Sequence, residues 1–249
     1  MDRQQTQRLM SEPEMLDYGV YLNCERLLTC QKPFEALCNH DELQFQIVHQ
    51  VEELWMKLIA YSLIEVEERL GEGVTHRALS LLDRCHRLIR LMTAQLDVLE
   101  TMSPKDYQQI RLQLGNGSGQ ESPGFRLILK MPSGIWTAYV QRYLAPEGRT
   151  VATVYDSGYA HDAAYALAEA LIEFDELFQK FRWHHIFLIH RSIGMGAASL
   201  KGRPVEILEI GAKHRFFPEL WEIRSQMTDA WGVSYGSRRD SLASPDTSG

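Results

Sequence analysis

The hydrophobic positions of this chain repeat with a helical period over four long stretches. Within residues 41–71 apolar side chains recur every three or four positions, and acidic residues occupy the first turn, where the helix dipole favours them. The same period runs through residues 75–99, through residues 161–192 and, after an initial proline, through residues 218–227. The pattern predicts an all-α fold, a bundle built on long helices.

Two connections are rich in glycine and proline. Residues 115–124 and residues 194–204 read as loops, and loops carried by a rigid helical scaffold are where function is expected. Residues 150–155, Thr-Val-Ala-Thr-Val-Tyr, have a strand-like composition. One such piece is too little to build a sheet, so the all-α prediction stands.

The ends of the chain have few apolar side chains. We therefore expect a mobile segment at residues 1–15, one helical domain over residues 16–235 and a disordered tail at residues 236–249. The 249 residues, 45% of them hydrophobic, suffice for one large core.

Charge and motif content exclude several classes of protein. The formal net charge of −7 argues against a broad nucleic-acid footprint. The four cysteines form no CxxC pair, and the chain lacks a signal-like start and an apolar run long enough to span a bilayer, so we expect a cytoplasmic protein. Dinucleotide, P-loop, zinc-protease, hydrolase and di-iron motifs are also missing from the sequence.

Two histidines stand out by their helical position. His185 occupies a position of the apolar seam otherwise taken by Ala, Leu and Phe, so its imidazole points into the bundle and needs a partner. A hydrogen-bonded core histidine and a metal or haem ligand both satisfy this condition. His49 lies at the margin of the first long apolar stripe, as a boundary residue or a functional one. The two imidazoles can face each other across an apolar cavity, as a haem pocket requires.

The other candidate site residues each have a structural explanation as well as a functional one. Arg126 follows the first glycine-rich loop, either as a solvated side chain or as a clamp for a carboxylate. Tyr18 and Tyr21 are three residues apart, and we expect them to pack in the core or at an interface. The adjacent Glu52 and Glu53 suggest a solvated helix face.

Five sequence blocks, in order, resemble the tryptophan 2,3-dioxygenases, which are all-helical haem enzymes. The blocks are Tyr18-Gly-Val-Tyr-Leu22, His40-Asp-Glu with Phe45, His49-Gln50 and Glu53-Leu-Trp55, Ser118-Gly119 through Phe125-Arg126, Phe181-Arg-Trp-His-His185, and Phe216-Phe-Pro-Glu-Leu-Trp221. The resemblance implies haem b between long helices, a homo-oligomer (usually a tetramer), and an O₂-dependent oxygenase acting on the indole C2–C3 bond of L-tryptophan.

The resemblance also implies roles for individual residues. His185 is expected to be the axial ligand of the haem iron, and His49 the distal histidine near the indole nitrogen. Phe45 is expected to pack on the indole, and Arg126 to hold the substrate carboxylate. Ser118 and Gly119 are expected to contact the substrate, as are Tyr18 and Tyr21, which would come from a neighbouring subunit. Trp55 and Ser199 are expected to contact the haem.

Two departures from the family pattern fall on the substrate side. The family's GTGGSSG loop is Gly-Met-Gly-Ala-Ala-Ser at residues 194–199 and lacks the threonine, and Gln120 replaces an aromatic residue. They favour a short, divergent bacterial-type member acting on a substituted tryptophan in secondary metabolism. Two other outcomes stay open: insertion of one oxygen atom to give an oxindole-type product, and a haem-binding or sensor protein without turnover.

Overall fold

The computed structural model describes residues 2–12, 14–115, 117–158, 160–196 and 206–231, and these residues form helices and connections without any strand. The helices are α1 Arg3–Ser11, α2 Asp17–Tyr21, α3 Cys24–Leu28, α4 Asp41–Glu72, α5 Thr75–Leu99, α6 Pro104–Gln113, α7 Pro123–Ile128, α8 Pro132–Tyr139, α9 Val151–Tyr155, α10 Ala163–Ile193, α11 Glu206–Ala212 and α12 Pro218–Trp231. Turns of 3₁₀ helix lie at Phe34–Ala36, Gly119–Glu121 and Ala145–Glu147, and Val140–Leu144 is π-helical. None of these helices is both long and apolar enough to cross a bilayer.

The three longest helices form the frame of the molecule. α5 packs against both α4 and α10, so it holds the other two in place. His86 Nε2 on α5 donates to the carbonyl oxygen of Ala170, in the first third of α10, at 2.9 Å. Glu100 Oε2, just after α5, lies 2.6 Å from Nη1 of Arg191, near the end of α10. Because the later contact in α5 is also the later one in α10, the two helices run in the same direction. The shared core is lined by buried Leu, Ile, Val and Phe side chains of all three.

The predicted fold class is confirmed, and the long helices end close to their predicted limits. Gly73, which follows α4, has a left-handed backbone (φ 78°), the conformation that ends helices most often at glycine. Asp162 caps α10 by accepting from the N–H of Tyr165. Pro218 begins α12.

The strand-like prediction for residues 150–155 is wrong. Thr150 precedes α9 and forms a capping box with Thr153, each side chain accepting from the other residue's backbone N–H. Side-chain capping therefore outweighs the β-branched composition.

The predicted loop and the chain ends have different outcomes. The loop at residues 115–124 contains a 3₁₀ turn and the first residues of α7. Within residues 1–15, α1 forms and buries none of its side chains. The predicted tail at residues 236–249 lies outside the described residues, so the expected domain limits remain a prediction.

Candidate functional site

His185 lies on the inner side of α10 with its imidazole among protein atoms. Burial lowers its pKa to about 4, and the nearby His49 and His184 add to the effect. The ring is therefore neutral at neutral pH. Within the described part of the chain neither ring nitrogen takes part in a hydrogen bond, so the core-histidine explanation lacks its hydrogen-bond partner there. A neutral imidazole without a partner can bind a metal through a nitrogen lone pair.

The turn at Gly119–Glu121 faces this imidazole. Ser118 precedes the turn, and its side chain accepts from the backbone N–H of Gln120 in a capping box with Glu121. A Cβ on Gly119 would lie 3.6 Å from Cε1 of His185 and 3.9 Å from its Nε2. The glycine therefore presents bare backbone to the ring, and any side chain there would face the Cε1 and Nε2 atoms of the imidazole.

His49 on α4 is the second imidazole of the site. Its Nδ1 lies 2.7 Å from the carbonyl oxygen of Phe45, and because a carbonyl only accepts, Nδ1 carries the proton. Burial lowers the pKa of His49, which keeps the ring neutral. Nε2 is therefore left with a lone pair that can accept a hydrogen bond. His49 also lines a cavity of about 350 Å³ with Leu27, Cys30, Gln50, Glu53 and Leu54.

Two aromatic rings lie in a row beside His49, and the second of them was missed by the sequence reasoning. The ring centroids of Phe45 and His49 are 4.1 Å apart, and the ring of Tyr107 on α6 lies 6.3 Å from that of Phe45. Burial raises the pKa of Tyr107, and the positive charge of Arg111, one turn further along α6, opposes the shift. A Tyr and an Arg four residues apart in a helix share one face, and that spacing was the available signal.

The structure places the remaining candidates in different surroundings. Arg126 is exposed on α7, where its neighbours Phe125 and Ile128 turn inward. The described contacts do not connect Arg126 with either histidine. Trp55 is half-buried against the core, and Ser199 lies outside the described residues.

Tyr18 and Tyr21 are 75% and 88% exposed, so packing in the core of this chain is wrong for both. They are two of ten large apolar side chains that are exposed among the described residues between positions 9 and 28. These are Leu9, Met10, Met15, Leu16, Tyr18, Val20, Tyr21, Leu22, Leu27 and Leu28. An exposed apolar surface of this extent is typical of an interface.

The prediction that Glu52 and Glu53 lie on a solvated helix face is also wrong. Glu52 is buried because it shares the inward face of α4. Glu53 accepts from the hydroxyl of Ser122 and, through Oε2, from the backbone N–H of Gly124 at 3.0 Å. A Cβ on Gly124 would lie only 2.6 Å from Cβ of Met56, so glycine permits this close approach. Glu53 thus fastens α7 to α4 just after the turn that faces His185.

The fold and the site together define an all-α protein in which neutral imidazoles from two long helices meet beside an aromatic cluster, an arrangement that suits a haem pocket. The family model for tryptophan 2,3-dioxygenase matches residues 1–132. Proteins named tryptophan 2,3-dioxygenase from Anaeromyxobacter dehalogenans and Saccharopolyspora erythraea are each 30% identical over 85% of this chain and cover 96% and 93% of their own lengths. The one from Shewanella woodyi is 28% identical over 85% of this chain and 91% of its own. The chain belongs to the tryptophan 2,3-dioxygenase family, and it is an oxygenase.

The family is haem-dependent, and the residues present fit a haem in their donor chemistry. His185 offers a neutral nitrogen ligand, and Gly119 opposite it carries no side chain. A Cβ built on Gly119 would already be in van der Waals contact with the imidazole, so a planar cofactor on His185 requires the turn to stand further from α10.

Proposed function

We propose that this protein is a haem-dependent dioxygenase that uses O₂ to cleave the indole C2–C3 bond of L-tryptophan or a substituted tryptophan, giving an N-formylkynurenine-type product. The neutral imidazole of His185, without a hydrogen-bond partner among the described residues and next to a second neutral imidazole, is the observation that carries the proposal. Family membership and the names of the relatives support the reaction and the substrate class. The two substitutions noted above, in residues 194–199 and at Gln120, motivate the substituted substrate.

The cofactor would be haem b, with His185 as its protein ligand and with Trp55 and Ser199 as further contacts. A haem held there supplies the redox chemistry that activates O₂. The protein's own contribution is to position the substrate and to exclude water.

His49 would orient the indole. Its protonated Nδ1 is engaged by the carbonyl of Phe45, so Nε2 is the free acceptor for the indole N–H. The ring of Phe45, tilted by 38° against that imidazole, would pack on the indole face. Ser118 and Gly119 would form the wall opposite His185.

Two arginines compete for the substrate carboxylate. The resemblance assigns this role to Arg126. Position favours Arg111, because its charge acts on Tyr107, which lies against Phe45 and hence beside the expected indole site. We propose Arg111 as the stronger candidate, and the effects of Arg111→Met and Arg126→Met on the KM for tryptophan test this choice.

A homo-oligomer would complete the site. The exposed apolar surface around Tyr18 and Tyr21 has the composition of a subunit interface, and a second copy of this chain is its proposed occupant. The family resemblance implies a tetramer in which these tyrosines reach a neighbouring pocket.

Haem reconstitution followed by turnover assays tests the proposal. The wild type should gain a Soret band and consume tryptophan or a ring-substituted analogue. His185→Ala should lose the wild-type ferrous spectrum, whereas His190→Ala, a control on the same helix, should keep it. A Soret band without consumption of any indole substrate would indicate a non-catalytic haem-binding protein, and no haem uptake at all would refute the proposal.

A further inference from the structure

Two charged side chains are buried on the face of α10 that carries His185. Asp175, Phe178, Arg182 and His185 follow one another at spacings of three, four and three residues, so they line one side of the helix. Asp175 is fully buried, and Arg182 is 6% exposed. A buried guanidinium is costly unless its donors are bonded, so its contacts indicate what it holds in place.

Arg182 binds the end of α11 and the connection from α11 to α12. Its Nη1 donates to the carbonyl oxygen of Gly211 at 2.8 Å, and its Nη2 donates to that of His214 at 2.7 Å. The guanidinium carbon lies 5.2 Å from the ring centroid of Phe178 and 5.4 Å from that of Phe216, and these two rings contact each other with 5.2 Å between their centroids, so the group packs against both rings.

Asp175 holds the next part of the same segment. Its Oδ2 accepts from the backbone N–H groups of Phe216 at 2.8 Å and Phe217 at 3.1 Å, and from Nε1 of Trp221 at 3.0 Å. The two charges therefore bind residues 211–221 to α10 over the two turns that precede His185. With four backbone groups and one side chain engaged, the segment has little freedom to slide along the helix.

The same cluster reaches the opposite wall of the site. The ring of Phe178 stacks on that of Phe125 in α7, with 5.6 Å between the centroids. α7 is capped by Ser122, which directly follows the turn at Gly119–Glu121. The packing partner of Arg182 thus also packs against α7, the helix that follows the turn facing His185, so one cluster connects the helix of His185 with the helix next to that turn.

We propose that Arg182 is a positioning residue for His185: by holding residues 211–214 and stacking on Phe178, it sets where the imidazole stands relative to the turn at Gly119. This inference rests on the proposed function, since His185 must be the haem ligand. Removal of Arg182 would take away the guanidinium donors of the Gly211 and His214 carbonyl oxygens and would loosen the aromatic cluster, so the ligand would be held less firmly.

The test compares Arg182→Met and Arg182→Lys with Lys180→Met in the full-length, haem-reconstituted protein. Lys180 lies on the same helix in an exposed ion pair with Glu176, so its variant controls for loss of a positive charge. Three readouts are measured: the rate of haem transfer to an acceptor protein, the iron–histidine stretching frequency of the ferrous form, and hydrogen exchange of residues 211–216 in the haem-free protein.

We expect Arg182→Met to release haem about 10- to 100-fold faster than the wild type, the usual cost of losing a group that orients a metal ligand. Its iron–histidine frequency should shift, and exchange of residues 211–216 should rise. Arg182→Lys should fall between it and the wild type, because one ammonium cannot serve both carbonyls, and Lys180→Met should match the wild type.

Two failures can be told apart. Faster exchange at residues 211–216 with unchanged haem release and frequency would overturn the positioning role and leave Arg182 as an anchor of the C-terminal segment only. A wild type that takes up no haem would instead refute the proposed function, and with it this inference. Should Arg182→Met fail to fold, the same readouts on Arg182→Lys decide the matter.

Discussion

The buried carboxyl of Glu52 makes the stability of this protein dependent on pH in a way that one substitution removes. Glu52 is 6% exposed on α4, and its Oε1 has no hydrogen-bond partner among the described residues. Burial raises its pKa from 4.5 to about 7, with Gln95 opposing the shift and the charge of Glu53 adding to it. The substitution Glu52→Gln keeps the shape of the side chain and eliminates its ionisation.

The magnitude follows from the shift. Each pKa unit corresponds to about 1.4 kcal/mol, so ionised Glu52 lowers the free energy of unfolding by about 3 kcal/mol once the pH is well above the folded-state value. Between the unfolded and folded pKa values the native state binds more protons than the unfolded state. The contribution of Glu52 to the free energy of unfolding is therefore fully present below about pH 4.5, and it is lost as the pH rises through about 7.

Urea unfolding of the haem-free protein, from about pH 5 to about pH 8.5, measures this difference. Glu52→Gln should gain stability relative to the wild type as the pH rises, by up to about 3 kcal/mol at the alkaline end. Glu68→Gln, an exposed position on the same helix, should run parallel to the wild type. If Glu52→Gln also stays parallel to the wild type, the carboxyl is not held in an unfavourable interior site and the reasoning fails.

Three further changes test other parts of the structure. Gly124→Ala should lower stability by about 1–3 kcal/mol in thermal unfolding because its Cβ would overlap a methionine of α4, whereas Gly71→Ala, with open space around it, should not. Arg111→Met should raise the KM for tryptophan roughly 10- to 100-fold through loss of a charge-assisted bond, and Arg126→Met should leave it near the wild-type value; the reverse result would return the carboxylate to Arg126. Tyr21→Ser should reduce the oligomer mass seen by light scattering, and an unchanged mass would remove this surface from the interface.

The long helices could be predicted from the sequence because their signals are local. Period, first-turn acids, Gly73 and Pro218 all act within one turn of the residues they affect, and the predicted limits differ little from the observed ones. The failure at residues 150–155 has a local cause too, since the capping box at Thr150 was overlooked.

The site was only partly predictable for a physical reason. His185 stood out because a polar residue interrupted an apolar seam, and the same logic could have found Asp175 and Arg182 on the adjoining rows of α10. Glu52 was misread because adjacent acids suggest solvent, although its spacing from Val48 and Met56 places it on the inward face. The meeting of Tyr107 with Phe45 depends on how α6 packs against α4, which no local pattern contains.

The most direct test of the central claim is the mass of the product formed from tryptophan with O₂ labelled by the heavy oxygen isotope. The reconstituted wild-type protein should yield an N-formylkynurenine-type product that carries two heavy oxygen atoms, and His185→Ala should yield none. A product with a single heavy oxygen atom and an intact ring would contradict dioxygenation, and unchanged substrate in a haem-loaded protein would contradict an enzymatic role on tryptophan.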